Sequence, residues 1–386
     1  MRHQVFTDAK HTASAVTRDS PQPSSGGPSM GERGNSMKGA LALGLVVVAV
    51  VAVAAVAGQT QSASAQPAAG SLVGTGATFP FPLISKWIPA VDNALGLKIT
   101  YTATGSGAGI AQITARTVDF GASDAPLSPD QLAACKSCVV IPWALAGMSV
   151  PYNLPGLGGR LRLSGPVLVN IYLGKISNWN DPAVKKLNPK LNLPDKKITP
   201  VYRSDGSGST YAFTDYLSVV SAQWKSKVGR NTSVNFPVGT GARGSSGVAG
   251  VVKSTEGALT YVDAAYSVQN KFQFALIQNR AGRFTTPGIR GVTQAVSQLP
   301  KKITNLSQLK IVDPPKSAGK LAYPISTFTY VIVPTNSGDK AVDLRKWVYW
   351  AVTQGQKFGP PLFFVPLPAS VKGFDYREIK KIQSGS

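Results

Sequence analysis

Three turns in this chain each join a predicted strand to a predicted helix, and all three are rich in glycine, serine and threonine. They lie at residues 76–79, 105–107 and 205–209, and Arg203 precedes the third. The first turn of a helix carries backbone N–H groups without intrahelical acceptors and a partial positive charge. Glycine lets an anion approach closely, and a hydroxyl adds a donor. One such turn is common, whereas three in one chain indicate an anion site.

Strand and helix patterns alternate along the chain, which favours an α/β fold with loops at the strand ends. Predicted strands cover residues 72–74, 97–102, 118–122, 147–153, 198–203, 257–262 and 321–333, and predicted helices cover residues 82–95, 110–117, 211–220 and 342–353. Residues 167–172 fit either a helix or a strand. Asp181 is expected to cap a short helix that begins at Pro182. The length of 386 residues suits two domains.

The first 65 residues are expected to lie outside the fold. Met37-Lys38 precedes an apolar run at residues 39–58, and an Ala-x-Ala sequence ends at Ala65. These are the parts of a secretory signal peptide, so we expect cleavage after Ala65 and a protein in the periplasm or at the cell-envelope exterior. An uncleaved membrane tether is the alternative, because a run of about twenty apolar residues just spans a bilayer.

The chain is strongly basic. Its formal net charge is +22, and the first 65 residues hold five basic and three acidic side chains, which leaves +20 for the remainder. Such a balance attracts phosphate, nucleic acid and anionic envelope polymers alike. The lysines are scattered rather than gathered in a tail, so a general role in solubility is equally consistent with the pattern.

Histidine and cysteine usage excludes several kinds of chemistry. The only histidines are His3 and His11, so the chain after the predicted signal lacks Ser-His-Asp and Cys-His catalysis and histidine metal sites. We expect neither a metal nor another cofactor. Cys135 and Cys138 are the only cysteines, and in an exported chain they predict a small local disulfide rather than a redox centre.

The motifs together resemble the periplasmic phosphate-binding proteins, which are the substrate-binding components of bacterial high-affinity phosphate ABC transporters. The matching segments, in family order, are residues 74–80, 118–127, 171–176, 179–181, 187–189 and 203–208. The resemblance covers residues 72–375 and implies a two-lobed periplasmic-binding-protein fold of type II-like form. Each lobe would be a mixed sheet flanked by helices, with the ligand in the cleft between them. Lobe 1 would combine residues 72–150 and 321–386, and lobe 2 would hold residues 151–320.

The resemblance also implies which residues bind phosphate. Matched position by position, they are Thr78, Phe79, Ser106, Asp124, Arg203, Ser207, Gly208 and Ser209. Thr78 and Phe79 would bind through backbone N–H groups, and Thr78 also through its hydroxyl. Ser209 stands where the family usually has threonine, and Thr210, which follows directly, competes for the same role.

Asp124 is an acidic residue among donors for an anion, which makes sense if the ligand carries a proton. HPO₄²⁻ and H₂PO₄⁻ donate to a carboxylate and sulfate does not, so Asp124 is expected to select phosphate over sulfate. Arg203 suits a bidentate, charge-assisted contact, and Asp205 is expected to hold Arg203 in place. The simpler alternatives are that Asp124 caps a turn and that Arg203 is a surface charge.

These inferences predict a monomeric exported protein that captures inorganic phosphate and delivers it to the permease and ATPase subunits of an ABC importer. It would be neither an enzyme nor a nucleic-acid-binding protein. Two alternatives remain open: a serine-dependent hydrolase of the phosphatase type, and a basic surface protein that binds nucleic acid or anionic polymers. The glycine-rich segment at residues 239–250 has no predicted role beyond lining the cleft.

Overall fold

The computed structural model describes residues 70–385, in which strands and helices alternate. The strands are β1 (Ser71–Gly76), β2 (Lys98–Thr102), β3 (Phe120–Ser123), β4 (Cys138–Ser149), β5 (Arg162–Leu163), β6 (Thr199–Arg203), β7 (Thr240–Ala242), β8 (Ala258–Leu259), β9 (Val262–Asp263), β10 (Leu276–Gln278), β11 (Phe284–Thr285) and β12 (Ser326–Pro334). The α-helices are α1 (Phe81–Leu95), α2 (Ser106–Thr114), α3 (Pro129–Ala134), α4 (Gly165–Tyr172), α5 (Pro182–Leu187), α6 (Gly208–Val220), α7 (Ala222–Lys227), α8 (Gly244–Ser254), α9 (Ala264–Gln269), α10 (Ile289–Val296), α11 (Ala341–Val352) and α12 (Ala369–Ile379). Short 3₁₀ helices lie at Leu306–Gln308, Lys316–Ala318, Gly338–Lys340, Gln354–Phe358 and Pro360–Leu362.

A six-stranded mixed sheet with the order β2-β1-β3-β12-β4-β9 forms the larger layer. β1 runs parallel to β2 and β3, whereas β12 runs antiparallel to β3 and β4. β2 alternates exposed and buried residues, as expected for a strand with one face on the core. All twelve residues of β4 are buried, which explains its nearly continuous apolar sequence.

Two smaller sheets are built by the chain between β4 and β12. One has the order β11-β10-β5, and the other has the order β7-β6-β8 with β6 parallel to both neighbours. β9 returns to the large sheet by pairing with the end of β4. The fold is thus a mixed α/β fold, as the sequence predicts. The lobe boundaries at residues 72–150, 151–320 and 321–386 remain predictions.

Three fully buried tryptophans form a centre of the core under the large sheet. Trp87 of α1, Trp143 of β4 and Trp347 of α11 meet edge to face, with ring centroids 5.4 to 6.0 Å apart. Each such pair contributes about 0.5–1.5 kcal/mol beyond the burial of its area. The indole Nε1 of Trp87 also donates to the carbonyl of Gly355 at 2.7 Å. These contacts hold α1, and with it the turn that precedes α1, against the sheet.

Two helices begin earlier than their apolar periodicity predicts. α2 begins at Ser106 and not at residue 110, and α6 begins at Gly208 and not at residue 211. The reason is that the glycine and serine residues assigned to turns form the first helical turn itself. Gly105, with φ of 102°, and Ser207, as the N-cap of α6, are the last non-helical residues.

Other element boundaries also differ from the predictions. Residues 167–172, which fit either element, belong to helix α4. The strand predicted at residues 257–262 is divided into β8 and β9. Of the strand predicted at residues 147–153, only residues 147–149 form a strand, as the end of the much longer β4. The short helix α5 does begin at Pro182, and Oδ1 of Asp181 accepts a hydrogen bond from the N–H of Ala183 at 2.8 Å.

The two cysteines are joined in a disulfide between α3 and β4. The Cys135 and Cys138 sulfurs are 2.02 Å apart. Nη2 of Arg116 donates to the carbonyl of Cys135 at 2.6 Å and holds the small loop against α2. In the chain-entropy account, closing so short a loop contributes about 2 kcal/mol at most.

The predicted signal segment lies outside the described residues, including the apolar run at residues 39–58 and the cleavage site after Ala65. Among the helices of residues 70–385, none has the length and apolar character needed to cross a membrane.

Candidate functional site

The turn between β1 and α1 is held tightly against β3. The N–H of Ala77 donates to the carbonyl of Ala122 at 2.9 Å, and a Cβ at Gly76 would lie 2.1 Å from that same oxygen. Phe79 is fully buried, whereas Thr78 keeps 8% of its surface exposed. Among residues 70–385, no acceptor is found for the N–H groups of Thr78 and Phe79. Two backbone donors therefore remain available at this turn.

The second turn brings a buried serine to the same place. Ser106, the first residue of α2, is fully buried, and its Oγ accepts a hydrogen bond from the N–H of Asp124 at 3.2 Å. α2 lies close on the first turn, since a Cβ at Gly109 would lie 2.6 Å from the Cα of Gly76. The start of α2 is therefore adjacent to the turn before α1.

Asp124 follows β3 directly and is 2% exposed. Its Oδ2 accepts a hydrogen bond from the Ser209 hydroxyl at 3.4 Å, while Oδ1 has no partner within residues 70–385. Burial raises the pKa of Asp124 to about 7, and the positive charge of Arg203 and the neighbouring hydroxyls of Thr329 and Ser209 oppose this shift. Asp124 is thus a buried acid with one oxygen available to a ligand, which is more than the cap of a turn.

Arg203 is a buried charge and not a surface one, at 4% exposed. Its Nε donates to Oδ1 of Asp205 at 2.6 Å and its Nη2 to Oδ2 at 2.5 Å, while Nη1 donates to Oγ1 of Thr78 at 3.0 Å. Burial favours a higher pKa for Asp205, but the hydrogen bond and charge of Arg203 outweigh it and hold that pKa below its ordinary value. Both oxygens of the Asp205 carboxylate therefore contact the guanidinium, and the supporting role of Asp205 in ligand binding remains a prediction.

The start of α6 supplies the third set of donors. Oγ of Ser207 accepts a hydrogen bond from the N–H of Thr210 at 3.2 Å, which leaves the N–H groups of Gly208 and Ser209 at helix positions without intrahelical acceptors. The Thr210 hydroxyl pairs with the hydroxyl of Tyr261 at 2.8 Å. Ser209, and not Thr210, is therefore the hydroxyl that reaches Asp124.

Glycines let the turns from the two parts of the chain touch. The N–H of Gly107 donates to the carbonyl of Gly206 at 2.8 Å. A Cβ at Gly208 would lie 2.5 Å from the nitrogen of Asp124 and 2.6 Å from Oγ of Ser106. The three turns predicted from the sequence, and all eight predicted binding residues, therefore lie around one buried site.

A fourth turn, between β7 and α8, also reaches this site; it lies in the segment at residues 239–250, for which the sequence predicted no role beyond lining the cleft. The N–H of Gly244 donates to Oδ1 of Asp205 at 3.0 Å, and Oγ of Ser245 lies 2.8 Å from Oγ1 of Thr78. The available signal was the Gly-Ser-Ser sequence at residues 244–246, which follows a strand and opens a helix as the other turns do.

The site combines many hydrogen-bond donors with one acidic side chain, Asp124, whose Oδ1 has no partner in residues 70–385. Its donors are backbone N–H groups at helix starts, serine and threonine hydroxyls and the Arg203 guanidinium, and its acceptor is Asp124. Within residues 70–385, no cluster of three or more histidine, cysteine, aspartate or glutamate side chains is placed to hold a metal ion. The arrangement is suited to binding a small anion that has acceptor oxygens and at least one hydrogen to donate.

Helix starts from separate parts of an α/β chain that meet around one buried, donor-rich site are typical of solute-binding proteins of the periplasmic type. A family model described as the PBP superfamily domain matches residues 61–354. The chain is 41% identical over 318 residues to the phosphate-binding protein PstS of Xylella fastidiosa, covering 81% of this chain and 85% of the relative. It is 37% identical to PstS of Pasteurella multocida, covering 82% and 90%. The chain therefore belongs to the PstS family of phosphate-binding proteins.

The fold is also similar to that of solved structures. A phosphate-binding protein from Stenotrophomonas maltophilia superposes with a TM-score of 0.60 at 18% identity, covering 80% of this chain and 94% of that one. At that identity the likeness concerns the fold, and it agrees with the two-lobed architecture predicted from the sequence.

Proposed function

We propose that this protein captures inorganic phosphate outside the cytoplasm and delivers it to the permease and ATPase subunits of an ABC importer. The observation that carries the proposal is Asp124, a buried carboxylate with an unpartnered Oδ1 in the described structure, surrounded by donors. HPO₄²⁻ and H₂PO₄⁻ offer oxygens to the donors and a hydrogen to the carboxylate, whereas sulfate offers only oxygens. The family's printed name, phosphate-binding protein, supports the same ligand.

In this proposal eight residues contact the ligand, and one further residue supports them without contacting it. The phosphate-binding residues are Thr78, Phe79, Ser106, Asp124, Arg203, Ser207, Gly208 and Ser209, with Asp205 in support. Arg203 supplies the positive charge, and its low exposure means that phosphate, when bound, is shielded from bulk salt. The basic balance of the whole chain then contributes to solubility and attraction rather than to specificity.

We infer that the protein acts by binding and release and not by catalysis. Ser207 is the strongest candidate nucleophile of a hydrolase, but its Oγ caps α6 by accepting from Thr210. A serine nucleophile also needs an adjacent base, and the chain has no histidine beyond His11. The relatives are binding proteins, which supports the same view. We further propose export through the segment that ends at Ala65 and action as a monomer.

Calorimetry with phosphate and with sulfate tests the ligand. We expect one phosphate per chain, a weak response to added salt and much weaker sulfate binding at pH 8, together with a smaller radius of gyration by scattering when phosphate is added. Absence of phosphate binding, or equal binding of sulfate, would refute the proposal. Turnover of p-nitrophenyl phosphate that is lost in Ser207→Ala would support the hydrolase instead, and binding of DNA with a steep salt dependence would support the polymer binder.

Asp205→Asn is expected to weaken phosphate binding by about tenfold to a hundredfold, because an amide cannot match both charged contacts that hold Arg203. The pair is nearly fully buried, so the loss is larger than for an exposed pair. Asp215→Asn is the matched control, since Asp215 pairs with the exposed side chain of Arg230. Equal affinities for the two variants, measured by calorimetry, would remove Asp205 from its supporting role.

A further inference from the structure

Ser245 is a buried serine that contacts one of the proposed phosphate-binding residues without belonging to that set. It is the second residue of α8 and is 1% exposed. Its Oγ lies 2.8 Å from Oγ1 of Thr78, and the same Thr78 oxygen accepts a hydrogen bond from Nη1 of Arg203 at 3.0 Å. These three side chains come from three separate parts of the chain, so the fold and not the local sequence brings them together.

The number of hydrogens in this group limits what the Thr78 hydroxyl can do. A hydroxyl has one hydrogen and two acceptor positions, whereas a guanidinium only donates. Thr78 must therefore accept from Arg203. When Ser245 donates as well, both acceptor positions of the Thr78 oxygen are filled. The Thr78 hydrogen then has to point away from both partners, and Thr78 can only donate to a ligand.

The start of α8 is anchored in a way that keeps Ser245 in place. The N–H of Gly244 donates to Oδ1 of Asp205, the same oxygen that accepts from Nε of Arg203. Asp205 thus links the guanidinium to the helix start that carries Ser245. Because Arg203 and Ser245 share this anchor, their distances to the Thr78 oxygen are set together.

We propose that Ser245 is a positioning residue that orients the Thr78 hydroxyl as a donor toward an unprotonated oxygen of phosphate. This inference rests on the proposed function. The Thr78 hydroxyl then needs an unprotonated phosphate oxygen as its acceptor, while the Asp124 carboxylate needs a phosphate hydroxyl as its donor. The bound anion is consequently held with its proton facing Asp124, and Ser245 contributes to affinity although it does not contact the ligand.

A double-mutant cycle of Ser245→Ala and Thr78→Val, read by calorimetry with inorganic phosphate, tests this role. Ser245→Ala is expected to weaken phosphate binding about tenfold in the wild-type background and less than about twofold in the Thr78→Val background, because the group it positions is then missing. Ser245→Thr keeps the hydroxyl and is expected to restore the affinity. Ser246→Ala changes the exposed neighbouring serine of the same helix and serves as the control.

Two results would overturn the inference. One is an unchanged affinity in Ser245→Ala, and the other is an equal loss in both backgrounds, which would mean that Ser245 contacts phosphate directly. Thermal unfolding without ligand separates loss of fold from loss of binding. Ser245→Cys, which keeps the size and weakens the donor, replaces the alanine variant if alanine destabilises the chain. A wild-type protein that does not bind phosphate would instead refute the proposed function.

Discussion

Gly208→Ala is expected to weaken phosphate binding at least about a hundredfold while the ligand-free chain stays folded. The added Cβ would lie 2.5 Å from the nitrogen of Asp124, 2.6 Å from its Cβ and 2.6 Å from Oγ of Ser106. All three atoms belong to the part of the chain before β4, whereas Gly208 opens α6 after β6. The clash is therefore relieved when the two parts separate, and separation also parts the donors that phosphate requires.

Gly250→Ala is the matched control for this prediction. Gly250 also lies in a helix, but a Cβ there would meet no atom within 4 Å. Since alanine is the better helix former by about 1 kcal/mol, this variant should bind phosphate normally and be slightly more stable. Calorimetry measures both affinities, and scattering should show that Gly208→Ala no longer contracts when phosphate is added. Wild-type affinity in Gly208→Ala would mean that ligand binding does not need this close contact.

The parts of the site that could be predicted from the sequence are those with a local chemical signature. Glycine followed by a hydroxyl residue at a strand end indicates a helix start with free donors, and Ser106 and Ser207 both lie at such starts. Asp205 lies two residues from Arg203, so their ion pair could be predicted from the local sequence. The contact of Ser245 could not be predicted in this way. Its segment has the same signature, but nothing in the local sequence indicates that Ser245 contacts Thr78, 167 residues earlier.

The order of the strands could not be predicted from periodicity. β12 lies between β3 and β4 and is antiparallel to both, although about 180 residues separate it from β4. Such pairings depend on which apolar faces meet in the folded chain, and the local sequence holds no signal for them. The division of the predicted strand at residues 257–262 into β8 and β9 has the same origin, because the two halves pair with different sheets.

Asp124 could be assigned a role from its residue type, but its environment needed the structure. The sequence places an acid next to an anion site and does not tell a solvated carboxylate from a buried one. The structure shows a buried carboxyl with one unpartnered oxygen in the described chain and a pKa raised by burial to about 7. Because the charge of Asp124 changes near this pKa, we expect the selection of phosphate over sulfate to depend on pH.

The second large effect is expected for Asp124→Asn, which should narrow the ratio of phosphate to sulfate affinity about a hundredfold at pH 9 and much less at pH 6. Sulfate carries no proton at these pH values, so it binds only when Asp124 is protonated. With a pKa of about 7, sulfate affinity of the wild type should be level below that pH and fall about tenfold for each unit above it. Asparagine carries no charge, so sulfate binding to the variant should not depend on pH.

Stability without ligand gives an independent measurement of the same carboxyl. Burial raises the pKa of Asp124 from 3.8 to about 7, so between these values the folded chain holds more protons than the unfolded chain. The free energy of unfolding should therefore fall as pH rises through this window, by roughly 4 kcal/mol in total from this group. Asp124→Asn should remove that part of the pH dependence and make the ligand-free protein more stable above pH 7.

Asp263→Asn tests whether the loss of any buried acid changes the selection between phosphate and sulfate, or only the loss of Asp124. Asp263 is fully buried, burial raises its pKa to about 8, and its Oδ2 likewise has no partner in residues 70–385. Its Oδ1 caps α9 by accepting from the N–H of Tyr266 at 2.8 Å, a contact that an amide oxygen preserves. This variant should also flatten the pH dependence of stability. Because the charges of Asp263 and Asp124 repel each other, removing the Asp263 charge lowers the pKa of Asp124, so this variant should keep the preference for phosphate over sulfate at pH 9 instead of narrowing it. A ratio at pH 9 that stays at the wild-type value in Asp124→Asn would show that selection against sulfate comes from elsewhere in the site.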